Sequence, residues 1–143
     1  MTDLLSLANE IEAAEIGSRE LDARICAAMR MLPPNCPDWL KNWGGKFAVH
    51  DKFPERVSAV HEDGKQGTHW NSAKVTTSAD AALSLVPEGW RIIDLYEAKR
   101  GVFLIRLVKG KTVIPENKSI EAKTLPLAIS AASLRALAQE DET

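Results

Sequence analysis

The chain predicts an α+β fold, an antiparallel β-sheet of three to five strands packed with α-helices in a layered sandwich. Three observations predict it. Apolar residues recur at helical spacing near both ends, over 3–32 and 124–138. From Trp90 to Lys109 two apolar runs flank the turn signal Lys99-Arg100-Gly101, the pattern of a hairpin. The composition, 45% apolar and 27% charged over 143 residues, can bury a core without disulfide staples. One domain over 1–143 is expected, with 33–75 as a variable, insert-like region and 139–143 as an acidic, frayed tail.

A first helix is expected from Asp3 to Ala14, with Leu4, Leu7, Ala8 and Ile11 as its apolar stripe. Gly17 reads as its left-handed C-cap, and Ser18 as the N-cap of a second helix from Arg19 to Met31. The buried stripe of that helix is Leu21, Ile25, Ala28 and Leu32, with Glu20 and Asp22 at the positive end of its dipole. Pro33-Pro34 stops it. Asp38 is placed to cap a short turn that carries Trp39 and Trp43 on one face, and Gly44-Gly45 ends that turn. Phe47–Val49 and Val57–His61 read as short strands, and 62–67 as an exposed turn leading into Thr68-His69-Trp70.

Thr77, with Asp80 three residues on, reads as a capping box before a short helix through Ala81, Ala82, Leu83 and Leu85. Pro87-Glu88-Gly89 turns the chain into two strands, Trp90–Glu97 and Val102–Lys109. A three-residue loop with Gly101 left-handed sets Asp94 opposite Arg106, a favourable cross-strand pair. It also puts Ile93, Leu95, Phe103, Ile105 and Leu107 on one face, and Ile92, Tyr96, Leu104 and Val108 on the other. With both faces apolar, covering layers are expected on both sides. Residues 110–118, with Pro115 and Asn117, read as a polar turn, and Ser119–Lys123 as a third strand. Thr124 caps a final helix with Pro126 in its first turn and Leu127, Ala131, Leu134 and Ala138 inward.

Three segments together resemble the phage ABA-sandwich domain family: residues 17–25 (GSRELDARI), 77–90 (TSADAALSLVPEGW) and 126–136 (PLAISAASLRA). The likeness covers about half the chain and leaves 33–75 outside it. It implies a small phage or prophage protein with an antiparallel sheet and packed helices. The matching residues are helix caps and apolar stripes, so the resemblance bears on fold and carries over no catalytic or binding residue.

Several function classes are disfavoured. A net charge of −2 supplies no global basic field, so nucleic acid is not an expected partner. Lys99 and Arg100 at the hairpin tip stand roughly 20 Å or more from Lys109 and Lys111, and form no single patch. No apolar run approaches the roughly 20 residues of a membrane span, and the first residues lack the pattern of a signal peptide. Two cysteines, Cys26 and Cys36, make no disulfide framework, so the cytoplasm of a bacterial host cell is the expected compartment.

No metal and no cofactor is expected, because Cys26, Cys36, His50, His61 and His69 show no ligand spacing. His61 and His69 can converge across a hairpin near Glu62 or Asp63, the one metal arrangement worth checking. Neither cysteine is marked as a nucleophile. Gly44-Gly45-Lys46 has phosphate-loop residues without the spacing, and the helix starts at Ser18, Thr77 and Thr124 hold their own caps. The chain is therefore read as no enzyme.

What remains is an aromatic and cationic set: Trp39, Lys41, Trp43, Lys46, His69 and Trp70. Indoles beside cations suit the stacking of a base and the pairing of a phosphate, and suit equally the anchoring of a protein interface. At least two of these three tryptophans are expected in the core. The expected function is a non-enzymatic phage or prophage accessory protein acting by binding, directed at a host defence protein through this surface. The alternatives are a sponge for a small, cyclic nucleotide and a structural or assembly protein of the phage, and a homo-oligomer is compatible with each.

Overall fold

The structure is a computed structural model that describes residues 4–114 and 120–141. Asp3, the turn at Pro115 and Asn117, Ser119 and the last two residues of the tail lie outside the described residues. The elements in order are α1 (Leu4–Ala13), α2 (Arg19–Ala28), α3 (Asp38–Lys41), β1 (Lys46–Val49), β2 (Arg56–Val60), β3 (Gln66–Asn71) and α4 (Ala79–Leu83). They continue with β4 (Arg91–Lys99), β5 (Val102–Lys109), β6 (Thr112–Ile114), β7 (Ile120–Ala122) and α5 (Leu125–Asp141). This is the predicted α+β class, built on two antiparallel sheets, β1-β2-β3 and β4-β5-β6 with β7 also on β5. None of the described helices is long and apolar enough to cross a membrane.

Contacts group the chain into two compact units, Met1–Ser18 with Lys74–Thr143, and Arg19–Ala73. The sequence reading drew one domain with an insert from residue 33. The second unit starts earlier because α2 packs on β1 and β2 and so belongs with them.

In the first unit α5 is the centre. Every residue from Leu127 to Leu134 is buried, and α1, α4, β5 and β7 all pack on this helix. The predicted stripe of Leu127, Ala131, Leu134 and Ala138 is buried, but so are the faces between. Two of the enclosed residues are serines, and each hydroxyl donates internally: Ser130 to the Val75 carbonyl (3.0 Å), Ser133 to that of Ile129 (2.8 Å). Thr124 caps the helix as expected, its Oγ1 accepting from the Leu127 N–H at 3.4 Å. Arg135 holds α1 by donating to Glu12 (2.7 Å) and Asn9 (2.6 Å).

Two expected caps differ. Gly17 has no positive φ. It is required by close approach, because a Cβ there would stand 2.2 Å from the Thr76 carbonyl oxygen. Ser18 and Thr76 close that contact: the Ser18 N–H donates to Thr76 Oγ1 (2.9 Å), whose hydroxyl donates back to the Ser18 carbonyl (3.1 Å). At α4 the cap is Ser78, not Thr77; Ser78 has the extended backbone a cap needs and accepts from the Ala81 N–H at 3.3 Å.

The β4–β5 register is the predicted one from Asp94 to Glu97, with Asp94 opposite Arg106 and Gly101 at φ +78°. Irregularities between Ile92 and Asp94 and between Glu97 and Lys99 break the alternation, so Ile92 faces Leu107 rather than joining Tyr96. The expected covering of both faces fails at β4. This strand is the sheet edge, and Ile93, Leu95 and Tyr96 are 39%, 36% and 51% exposed. Within the expected 110–118 turn, Thr112–Ile114 form β6, which returns on β5 after a turn with Gly110 at φ +60°. The expected third strand is β7, which pairs with the first half of β5.

In the second unit α2 ends at Ala28, three residues short of expectation. The Met31 N–H reaches the Cys26 carbonyl (2.9 Å), the Arg30 N–H reaches that of Ala27 (3.2 Å), and Arg30 is left-handed at φ 55°. That is a Schellman stop with arginine where glycine is usual. The buried residues of α2 are Asp22, Ala23, Ile25 and Cys26, whereas Leu32 of the predicted stripe is exposed. Asp22 is enclosed because Arg19 pairs with it at 2.6 Å and also donates to the Ser72 carbonyl at 2.8 Å.

Two outcomes follow for stability. Gly17→Ala forces the 76 backbone away and costs about 2 kcal/mol, measured as a lower urea midpoint at unchanged slope. Glu140 accepts from Lys109 Nζ (2.6 Å) and Trp90 Nε1 (2.9 Å), and these bonds, Lys109 first, hold its pKa below the ordinary 4.5. Its contribution is present above about pH 4.5 and is lost as pH falls through the lower folded-state value. Glu140→Gln should flatten the acid limb of a stability–pH curve.

Candidate functional site

The second unit carries all six residues singled out from the sequence, and it separates them. Pro37, not Asp38, precedes the single turn of α3; Asp38 is its first residue and makes no cap. Four-residue spacing brings Trp39 and Trp43 edge to face, with centroids 6.1 Å apart. Trp39 is 52% exposed, Trp43 half-buried. Lys41 is exposed and lies 3.9 Å from Asp38, a solvated pair of little energetic weight.

Arg30 sets the course of the chain beyond α3. Its guanidinium donates to the carbonyls of Trp43 (2.6 Å) and Gly45 (2.8 Å) and lies 4.4 Å over the Phe47 ring. Gly45 is obligatory here, since a Cβ would meet Trp43 Nε1 at 2.8 Å and the Val60 carbonyl at 3.0 Å. The Trp43 ring meets His61 edge-on at 5.4 Å, and His61 in turn covers Gly67, where a Cβ would stand 2.5 Å from Nε2. An open groove of about 1310 Å³ runs along Arg30, Trp43, Lys46, His61 and Asp63. Its cations, Arg30 and Lys46, are balanced by Glu62 and Asp63.

Trp70 lies elsewhere. It is 8% exposed, opposite Val57, with Phe47 edge-on at 5.3 Å. It belongs to the core beneath Arg30, so the three tryptophans form no continuous surface and only one of them is buried. His69 is the neighbour of Trp70 along β3 and points to the other face. There it meets His50 (4.3 Å) and Phe53 (6.0 Å) rather than His61. Among the described residues no group of three or more His, Cys, Asp or Glu side chains is arranged to hold a metal ion.

Arg30 escaped the sequence reading, and His61 entered it only as a candidate metal ligand beside His69, not as the ring that meets Trp43. Only the basic residue at a helix end hinted at Arg30, and its partners lie 13 and 15 residues away. Cys26, by contrast, is core as expected: burial first, with Asp22 adding, pushes its thiol pKa up to about 11. Comparison with family models, with curated proteins and with solved structures finds no match to this chain.

Arg30→Ala and Arg30→Gly both remove the clamp, but only glycine relieves the positive φ. The alanine variant should therefore be less stable by about 1 kcal/mol, read by urea denaturation followed through tryptophan fluorescence. Native protein at pH 8 should show one thiol reactive to a disulfide reagent, Cys36, and a second only on unfolding, since Cys26 is buried and holds its proton.

Proposed function

We propose that this chain is a non-enzymatic accessory protein of phage or prophage type that acts by binding a host protein. The observation that carries the reading is the Trp39–Trp43 ledge. A large, half-exposed indole is held edge-on by a second one, whose backbone is clamped by Arg30. A pre-organised aromatic of this kind loses little rotamer freedom on docking, which is the character of an interface hot spot. Lys41 and Lys46, both exposed, flank the ledge and favour a partner with carboxylates around an apolar pocket. The phage assignment, with the bacterial cytoplasm as its setting, rests on the resemblance of the three segments. Action against a host defence component is the role proposed for such a protein, by association and not from the fold.

A second reading, capture of a small nucleotide, is favoured by the groove, where Trp43 and His61 offer ring edges beside Arg30 and Lys46. The acids on the same rim weigh against it.

The test is affinity purification from bacterial lysate with the wild-type chain and with Trp39→Ala. A stoichiometric protein partner bound roughly tenfold or more weakly by the variant supports the proposal. Equal retention by both removes the ledge from the function. Native mass spectrometry after incubation with a small-molecule extract decides the second reading, since a discrete added mass would replace the protein partner with a ligand.

A further inference from the structure

A second cluster lies at the far end of β1 from the groove. Arg56 and Ser58 alternate on β2 and so share a face, and Ser58 pairs with His69 on β3. His50 follows β1 and donates its backbone N–H to the Arg56 carbonyl at 2.8 Å. His50 and His69 stand 4.3 Å apart between ring centroids, and Phe53, 45% exposed, lies 5.1 Å from His50.

The cluster is short of acceptors. Among the described residues, Arg56 Nε and His69 Nδ1 are both buried with no hydrogen-bond partner. Asp51 Oδ1 is 3.5 Å from His50 Nδ1, and the Asp51 side chain is 71% exposed. His50 Nδ1 accepts from the Lys52 N–H at 3.1 Å, so in the neutral ring the proton sits on Nε2. An unpaired buried nitrogen ordinarily costs about 1–3 kcal/mol, and native proteins rarely leave two side by side.

We propose that Arg56, His69 and His50 form an oxyanion site that takes the phosphate group of a small ligand, with the Phe53 ring as a ledge for an aromatic group attached to it. Arginine presents a planar fork to such oxygens, and the imidazoles add donors of adjustable charge. Partial burial, then the basic neighbours His50 and Arg56, hold the His69 pKa below 6.5 in the free protein. An anion reverses that balance, so it raises the His69 value and binds more tightly as pH falls. The site is independent of the Trp39–Trp43 ledge and does not rest on its role.

The histidine ring resonances report it directly. Sodium phosphate, against sodium chloride at matched ionic strength, should shift His50 and His69 saturably and leave His61 in place. Sulfate, whose charge is constant over the range, should bind more tightly as pH drops below 6.5. Arg56→Gln should weaken phosphate about tenfold or more, with an unmoved His61 resonance showing that the unit is folded; His69→Gln serves as a second variant. Adenosine monophosphate should bind more tightly than inorganic phosphate, and Phe53→Ala should abolish only that difference. Shifts that match those in chloride, or an Arg56→Gln variant that binds phosphate as the wild type does, overturn the oxyanion site. Equal binding of the two phosphates overturns the ledge.

Discussion

Helix α5 is enclosed on every side from Leu127 to Leu134, and this constraint decides the composition of the first unit. A helix that receives two helices and a sheet at once cannot carry large side chains all round. Five alanines and two serines of α5 are buried, so neighbouring backbones come close at little cost in side-chain entropy. The serines are tolerated because each hydroxyl finds a carbonyl, one on α5 itself and one at Val75. The same economy recurs at Gly17 against Thr76, where no side chain fits at all.

The second unit is held differently. It has three short strands, one two-sided helix contact and few large buried side chains: Ile25, Leu40, Val57 and Trp70. Polar clamps do much of the ordering, Arg19 between Asp22 and Ser72, Arg30 between Trp43 and Gly45. Arg30 accepts an unfavourable backbone angle to make its clamp, a local conflict of the sort that marks functional segments. A unit of this size cannot bury all its aromatic and basic residues. Trp39, Phe53 and the histidine pair are left at its margins, and those margins are where binding is proposed.

Local chemistry was legible in residues close in sequence. The Asp94–Arg106 register and the left-handed Gly101 were legible, although Lys99 pairs with Val102 and the residue expected in the loop is taken up by the irregularity between Glu97 and Lys99. The contact of Trp39 with Trp43 follows from four-residue spacing, and the Thr124 cap from a hydroxyl three residues before an orphan N–H. Misreadings came where a distant partner intervened. Gly17 looked like a cap because glycine so often is one, yet Thr76, 59 residues on, explains it. Of the candidate site, alternation along β3 already implied that His69 and Trp70 diverge, but not which of them enters the core.

The sequence by itself determined the α+β class, most element positions and the hairpin register, because those depend on periodicity, caps and turn residues that act over a few positions. Only the tertiary structure decided the division into two units, the exposed edge at β4, and the separation of Trp39 and Trp43 from Trp70. It alone brought Arg56, His50 and His69 together. Those outcomes depend on which surfaces meet, and the free energy of a long-range contact is a property of both partners, written in neither segment alone.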